Sequence, residues 1–246
     1  MSEFKFPTET IELPSKGLIY PEDNPLSSGK IEMKYMTAKE EDILSNQSYI
    51  ENGTVLDKLL KSLIVSKVNY NDLIVGDKNA VMIAARVLGY GKDYEFEYKG
   101  ERVTVDLSQL DNKPFDETSI SQGQNEFSYT LPNSGTIITY KLLTHKDEMA
   151  IEAELRGLKK LNKNASPDVS TRLKYMILSV NGDSDRKVVR EFVDIYFLAQ
   201  DARSFRKHVA NHQPDVELTT QVDLITGVED IDIPITVNFF WPDASI

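Results

Sequence analysis

Apolar residues recur at helical spacing in the first third of the chain. Between Thr54 and Ile64 they occupy the i, i+3, i+4, i+7 and i+8 positions of one helical face. This pattern predicts a helix that begins near Thr54 and packs on a core. The stretch from Asp77 to Gly89 is apolar on nearly all sides. It predicts a central helix that is capped by Asp77 and ends at Gly89.

The pattern changes to alternation between residues 92 and 143. Apolar and polar positions alternate over 94–98, 102–107, 126–131 and 136–143, which predicts four strands. Lys99-Gly100 and the segment 132–135 have the composition of hairpin turns. Tyr94, Phe96 and Tyr98 lie on one face of the first strand, which we interpret as a core face. Residues 112–124 are polar and without period, and we expect a loop there.

Helical spacing returns after Thr144. The pair Thr144 and Asp147 predicts a helix start, and Pro167 predicts the first turn of a second helix whose apolar face runs on to Val180. A third, long helix is predicted from residue 184 or 185, which either continues or breaks near Gln200 and ends before Pro214. Its predicted inward residues are Val189, Phe192, Val193 and Tyr196.

Both ends of the chain are predicted to be extended. Pro14, Pro21 and Pro25 disfavour a helix in residues 1–30, and a short strand at 31–36 leads into a capping box formed by Thr37 and Glu40. At the other end, strands at 216–225 and 231–240 flank a Thr226-Gly227 turn.

These elements predict an α+β fold, in which helical N-terminal and C-terminal regions flank a small antiparallel β region and a β-hairpin closes the chain. The predicted regions are an extended arm at 1–30, a helical subdomain at 31–90, an antiparallel β region at 91–143, a helical subdomain at 144–213 and a terminal hairpin tail at 214–246.

Composition narrows the classes of function. The formal net charge of −11 disfavours nucleic-acid binding, because affinity for phosphate backbones comes from Lys and Arg. The chain has no cysteine, which excludes disulfides, thiolate metal sites and Cys nucleophiles. No apolar run reaches the roughly 20 residues of a membrane span, and the first residues do not resemble a secretory signal. We expect a cytoplasmic protein with protein partners and without a membrane, cofactor or small-molecule substrate.

Candidate chemistry is sparse. His208 and His212 have the i, i+4 spacing of two metal ligands on a helix, but no acid lies between them and Pro214 follows closely. We expect no metal there. The carboxylates are scattered, so we predict that the protein is not an enzyme. The alternative is a cytoplasmic hydrolase-type enzyme with an acidic carboxylate site, which would require a deep pocket with at least two carboxylates of raised pKa.

Three segments are candidate interaction sites. The arm and the aromatic end combine extended backbone with apolar side chains, which suits strand addition or insertion into a groove. Basic residues near position 203 form either an ion network with Asp201 or a positive spot for an acidic partner. The aromatic end is either core or interface. The candidate residues are Leu13, Pro14, Leu18, Tyr20, Arg203, Arg206, Phe239, Phe240, Trp241 and Pro242.

Several of these segments resemble a known family. The stretches are Leu13-Pro-Ser-Lys-Gly-Leu-Ile-Tyr-Pro21, Met33-Lys-Tyr-Met-Thr-Ala-Lys-Glu-Glu-Asp-Ile-Leu44, Gly53-Thr-Val-Leu-Asp-Lys-Leu-Leu60, Asp201-Ala-Arg-Ser-Phe-Arg206, Ile233-Pro-Ile and Phe239-Phe-Trp-Pro242. In this order they resemble the T4-type bacteriophage baseplate hub protein family.

The resemblance implies a late phage protein that acts in assembly of the central baseplate hub of a contractile tail. It would be either a hub subunit or an assembly chaperone, in the host cytoplasm during assembly and, as a subunit, in the virion. Other phage baseplate or tail hub proteins would be its partners, and a homo-oligomer is a further option. Many members of the family carry a C-x-x-C-like ribbon before the closing aromatic residues. Since this chain lacks cysteine, we expect packing alone to hold its terminal hairpin.

Overall fold

The computed structural model describes residues 7–161, 167–225, 227–235 and 239–241. The helices in these ranges are α1 Ala38–Leu44, α2 Gln47–Glu51, α3 Val55–Leu63, α4 Val75–Tyr90, α5 His145–Leu161, α6 Asp168–Met176, α7 Arg186–Glu191 and α8 Ala199–His212. The strands are β1 Thr8–Glu12, β2 Lys30–Lys34, β3 Asp93–Tyr98, β4 Glu101–Asp106, β5 Phe127–Thr130, β6 Ile137–Tyr140, β7 Ile177–Val180, β8 Thr219–Leu224 and β9 Gly227–Asp232.

All strand pairs in the described residues are antiparallel. β1 pairs with β2, β3 with β4 and β8 with β9, and a three-stranded sheet has the order β5-β6-β7. The fold is therefore α+β with a terminal β-hairpin, as predicted. No described helix is both long enough and apolar enough to cross a membrane.

Local sequence chemistry accounts for several of these elements. Thr37 and Glu40 form the expected capping box at the start of α1. The apolar stripe of α3 is buried against the core. Lys99 and Gly100 both have positive φ, 50° and 81°, which is the backbone of a tight hairpin turn between β3 and β4. In each case the residues that decide the element lie within a few positions of one another.

The helix predicted from Pro167 to Val180 is wrong in its last four residues. α6 ends at Met176, and Ile177–Val180 is β7 on the edge of the three-stranded sheet. The Arg186 guanidinium donates to the carbonyls of Lys174 and Ile177, at 2.6 and 3.0 Å, and so satisfies backbone groups where the helix stops. A short apolar run is compatible with a buried strand and with a buried helix, and here pairing with β6 makes it a strand.

The strands of the terminal hairpin have different bounds from the prediction. Its second strand begins at Gly227 and ends at Asp232, whereas 231–240 was expected. Pro234 has no N–H for a ladder, so the strand cannot continue through it. The hairpin docks on β3 and β4, where Lys99 pairs with Glu229 and the Glu101 carboxylate accepts from Ile225 N at 3.0 Å. Thr226 and residues 236–238 lie outside the described residues.

One continuous cluster of buried apolar side chains includes members of all five predicted regions, among them Leu13, Leu59, Tyr94, Phe205 and Phe239. The regions therefore share a core. Elements from both halves of the chain contribute to that core.

Candidate functional site

The N-terminal arm is fastened to the first turn of α4. Asp77 is fully buried there and accepts hydrogen bonds from Ser15 N at 2.9 Å, Ser15 Oγ at 2.6 Å and the Tyr20 hydroxyl at 2.6 Å. Ile74 N donates to the same hydroxyl at 3.1 Å. Burial raises the pKa of Asp77, against the effect of the bonds from Ser15 and Tyr20. Asp77 thus lies inside the helix, where we had expected a cap, and it anchors the arm.

This arrangement corrects the interpretation of the arm as an interaction segment. Leu13, Pro14 and Tyr20 are buried and Leu18 is half-buried. Within the arm, β1 is a strand paired with β2, and Pro25–Ser28 forms a 3-10 helix. The prolines exclude a longer helix but leave these side chains free to join the core.

The polar loop at 112–124 covers the arm. Gln122 Nε2 donates to the carbonyls of Gly17 and Tyr20 at 2.9 and 2.7 Å, and Gly123 N donates to Leu18 O at 2.8 Å. Only glycine fits at position 17 of the arm, because its φ is 81° and a Cβ there would meet the Ser27 carbonyl at 2.3 Å. The backbone of the arm is therefore already bonded within the chain.

The aromatic end is core in the described residues. Phe239 and Phe240 are 0% and 1% exposed, and the Phe239 ring meets the Tyr94 ring edge-on at 5.0 Å. Trp241 is half-buried, and its Nε1 donates to the carbonyl of Leu44 at 3.1 Å, at the end of α1. The interface interpretation of Phe239 and Phe240 is therefore wrong for the folded chain. Pro242 lies outside the described residues.

Asp201 forms no ion network with its basic neighbours in the described part of the chain. It is buried and accepts from Asn133 N at 2.8 Å, Asn133 Nδ2 at 2.7 Å and Ser134 N at 3.0 Å. Burial by itself raises the pKa of Asp201, but the bonds from Asn133 and Ser134 lower it overall. The carboxylate thus joins α8 to the turn between β5 and β6. Arg203, Arg206 and Lys207 are exposed, and no ion pair joins them to a described carboxylate.

A π-helical turn at Phe192–Tyr196 separates α7 from α8. Phe197 N donates to Phe192 O at 2.8 Å, so the backbone gains one residue in this turn. Phe197 consequently turns inward, where its ring stacks on Phe192 at 5.1 Å. Tyr196, which periodicity placed inward, is 60% exposed.

The π turn creates an exposed apolar surface beside the basic residues. Ile195 is 67% and Leu198 51% exposed, next to Tyr196. At the start of α8, Ala202 N bonds to Leu198 O at 2.9 Å, and one turn later Arg206 Nε bonds to Ala202 O at 3.3 Å, so Arg206 lies two turns beyond Leu198. We call these residues the α7–α8 patch: Ile195, Tyr196, Leu198, Arg203, Arg206 and Lys207. Residues 195–198 are four consecutive apolar residues, which one face of a helix cannot bury together. This run was the sign in the sequence that some of them would be exposed.

The opposite face of α8 borders a cleft of about 440 Å³. Its lining comes from the 112–124 loop, β5, β6 and α8, and comprises Asp116, Ile120, Gln124, Glu126, Phe127, Ser128, Thr139, Tyr140, Leu142, His208 and His212. His208 Nε2 lies 2.9 Å from the Tyr140 hydroxyl, and His212 Nδ1 donates to His208 O at 2.7 Å. Burial, together with His212, lowers the pKa of His208, so its imidazole is neutral at pH 7.

The cleft bears on the metal and hydrolase interpretations. Within the described ranges, no group of three His, Asp or Glu side chains is placed to hold a metal ion. Asp116 and Glu126 reach one rim of the cleft as exposed side chains, and both histidines are already bonded to neighbours. The hydrolase-type alternative stays a prediction.

A second titratable cluster, missed in the sequence, joins α3, α4 and α5. Lys78 Nζ lies 3.1 Å from Asp57 Oδ1 and 3.2 Å from Nδ1 of the buried His145. Since an ammonium only donates, His145 Nδ1 accepts, and the ring proton on Nε2 faces Asp57 at 3.3 Å. Burial raises the pKa of Asp57, but His145 and Lys78 together lower it well below its usual range. The cluster holds three helices together.

Comparison with known proteins adds no relative. A scan of family models found no match, and no significant match was found among curated proteins or among solved structures.

Proposed function

We propose that this protein acts in assembly of the central baseplate hub of a contractile phage tail through contacts with other baseplate or tail hub proteins. The ordered resemblance of six segments to the T4-type baseplate hub family supports this setting. The observation that carries the contact function is the α7–α8 patch, in which large apolar side chains stand exposed on a folded surface. Clustered exposed apolar residues are typical of protein interaction sites.

The charges of the patch indicate the chemistry of the partner. Arg203, Arg206 and Lys207 are three cations without an ion pair among the described residues, on a chain with net charge −11. A partner segment that combines acidic and apolar residues complements both parts of the patch. The cations steer its approach, and burial of Ile195, Tyr196 and Leu198 stabilises the complex. We therefore propose an acidic, apolar segment of a hub protein as the occupant.

Co-purification with defined partners tests this function. The tagged chain is expressed together with the hub proteins of a contractile tail, and mass spectrometry identifies what is retained. We expect at least one hub protein in stoichiometric amount, and retention of none would refute the proposal.

The role as subunit or chaperone needs a separate measurement. Mass spectrometry of purified virions detects a hub subunit and fails to detect a chaperone that leaves the assembly. Either result is compatible with the contact function. This experiment therefore decides between subunit and chaperone and does not test whether the protein contacts hub proteins.

A further inference from the structure

We propose that the cleft between β5, β6 and α8 binds an extended basic peptide segment, whose backbone pairs with the free edge of β5 and whose Arg or Lys side chain enters the cleft. This site lies on the opposite face of α8 from the α7–α8 patch and does not depend on the proposed hub function.

The hydrogen-bond pattern leaves β5 with an open edge. Leu131 N donates to Thr136 O at 2.9 Å, so in the β5–β6 register Tyr129 and Phe127 also bond to β6. Ser128 and Thr130 alternate with them and direct their N–H and C=O groups away from the sheet. Asn181 N bonds to Ile137 O at 2.7 Å, which shows that the alternate residues of β6 face β7.

That edge has no partner within the described residues. No hydrogen bond from them reaches the backbone of Ser128 or Thr130, and both residues are exposed. An unpaired strand edge is a template for an added strand. Because Ser128 also lines the cleft, an added strand would place alternate side chains at the mouth of the cleft.

The walls of the cleft suit a cation. The rings of Phe127 and Tyr140 lie 5.5 Å apart, centroid to centroid, and both residues line the cleft. Glu126 contributes an exposed carboxylate, Asp116 lines the cleft with a carboxylate that also accepts from Thr118 N and Oγ1, and the described lining contains neither Lys nor Arg. The lowered pKa of His208 keeps its imidazole neutral at pH 7. Aromatic walls with carboxylates at the rim favour a guanidinium or ammonium group through cation–π and ionic contacts.

The volume and the edge together favour a peptide over a free small molecule. About 440 Å³ is in the range of a small-ligand pocket. A free ligand would use the cleft alone, whereas the two backbone positions at Ser128 and Thr130 repeat at the spacing of a strand. An extended segment with one basic side chain satisfies both features.

Titration followed by amide resonances tests the site on the full chain. The probe is an acetylated, amidated Thr-Val-Arg-Val-Thr peptide, and its control has Glu in place of Arg. We expect the Arg peptide to shift the amides of Ser128 and Thr130 with a Kd near 1 mM, which is typical of a weak, short ligand, and we expect the Glu peptide to bind about tenfold more weakly.

Two variants separate the parts of the site. Glu126→Gln removes a rim charge and should weaken the Arg peptide about two- to fivefold. Ser128→Pro removes an outward N–H that no described residue uses, and should abolish the shift at Thr130. Glu97→Gln, on the exposed face of β3, is the matched control and should leave binding unchanged.

Several results would overturn the proposal. The first is an Arg peptide that shifts neither the Ser128 nor the Thr130 amide at concentrations near 5 mM, about five times the expected Kd. The second is equal affinity for the Arg and Glu peptides. The third is an equal loss of affinity for the Arg peptide in Glu97→Gln and Glu126→Gln. Shifts at the same amides that depend on protein concentration without peptide would assign the edge to a second copy of the chain. Hub proteins take no part in this experiment, so its failure leaves the proposed function standing.

Discussion

Glu40 carries its charge in a fully buried position. Its carboxylate accepts from Lys34 Nζ at 2.8 Å, Thr37 N at 3.0 Å, Thr37 Oγ1 at 2.6 Å and Ser62 Oγ at 2.7 Å. Burial by itself raises the pKa of Glu40, but these hydrogen bonds together lower it to about 2. A residue predicted only as half of a capping box therefore also joins β2, α1 and α3.

The sign of this shift predicts a pH dependence. Because the folded-state pKa lies below the ordinary 4.5, the charge stabilises the fold at neutral pH and loses this effect as the pH falls from about 4.5 to about 2. We expect Glu40→Gln to lower the free energy of unfolding by about 2 kcal/mol at pH 7. The difference from wild type should shrink towards pH 2.

Urea unfolding at several pH values measures this difference. Glu41→Gln, an exposed change in the same helix, should alter the free energy of unfolding by less than about 0.5 kcal/mol. A pH-independent cost for Glu40→Gln would refute the electrostatic explanation.

Trp241 joins the end of the chain to α1 through its ring and its single N–H. Trp241→Phe keeps an aromatic ring but leaves the Leu44 carbonyl without this donor, and should cost about 1 kcal/mol. Trp241→Ala also removes the ring contacts and should cost about 3 kcal/mol. Thermal unfolding followed by circular dichroism gives both values. If the two variants unfold like wild type, the ring is not part of the core.

At the scale of elements, contacts between distant segments decide where helices and strands lie. The first turn of α4 lies against the tail, since a Cβ on Gly76 would meet the Pro214 carbonyl at 1.9 Å. Asn79 Nδ2 also donates to Asp215 Oδ1, at 2.9 Å. The tail thus packs directly on the backbone of α4, and only glycine permits this approach.

Gly76→Ala should therefore destabilise the protein by about 2 kcal/mol or more, because the backbone of α4 or of the tail must move. Gly157→Ala is its control. Gly157 lies in α5, and a Cβ added there would have no neighbouring atom of the described residues within 4 Å, so alanine should stabilise that helix by about 0.5–1 kcal/mol. Chemical unfolding compares the two, and equal effects would contradict the close approach.

The sequence predicted elements where the deciding residues are neighbours. The Thr37–Glu40 capping box and the Lys99-Gly100 turn belong to this class, and both are confirmed. The role of Asp77 was missed because its partners, Ser15 and Tyr20, lie 62 and 57 positions away. The exposure of Tyr196 was missed because the helix passes into a π turn at Phe192–Tyr196, where the spacing of an α-helix no longer places side chains. In the α7–α8 patch, the sequence identified the basic residues as candidates for partner binding but did not identify the exposed apolar residues beside them.

At the scale of the molecule, the two faces of α8 serve surfaces of opposite charge. Arg203, Arg206 and Lys207 lie on the outward face, and His208 and His212 line the acidic cleft on the other. The two proposed partner segments, which differ in charge, would therefore not compete for the same face of α8. Asp201 and Phe205, on the same face of α8 as His208 and His212, hold the helix to the turn and strands of the three-stranded sheet.

The most direct test of the account measures how much of a co-expressed hub protein each patch variant retains. We predict that Tyr196→Ser with Leu198→Ser, and separately Arg203→Glu with Arg206→Glu, reduce retention at least about tenfold, the loss expected from one or two buried contacts. Ile50→Ser and Arg102→Glu, exposed changes elsewhere, should retain the hub protein like wild type. Full retention by both patch variants, with folding intact by circular dichroism, would contradict the account.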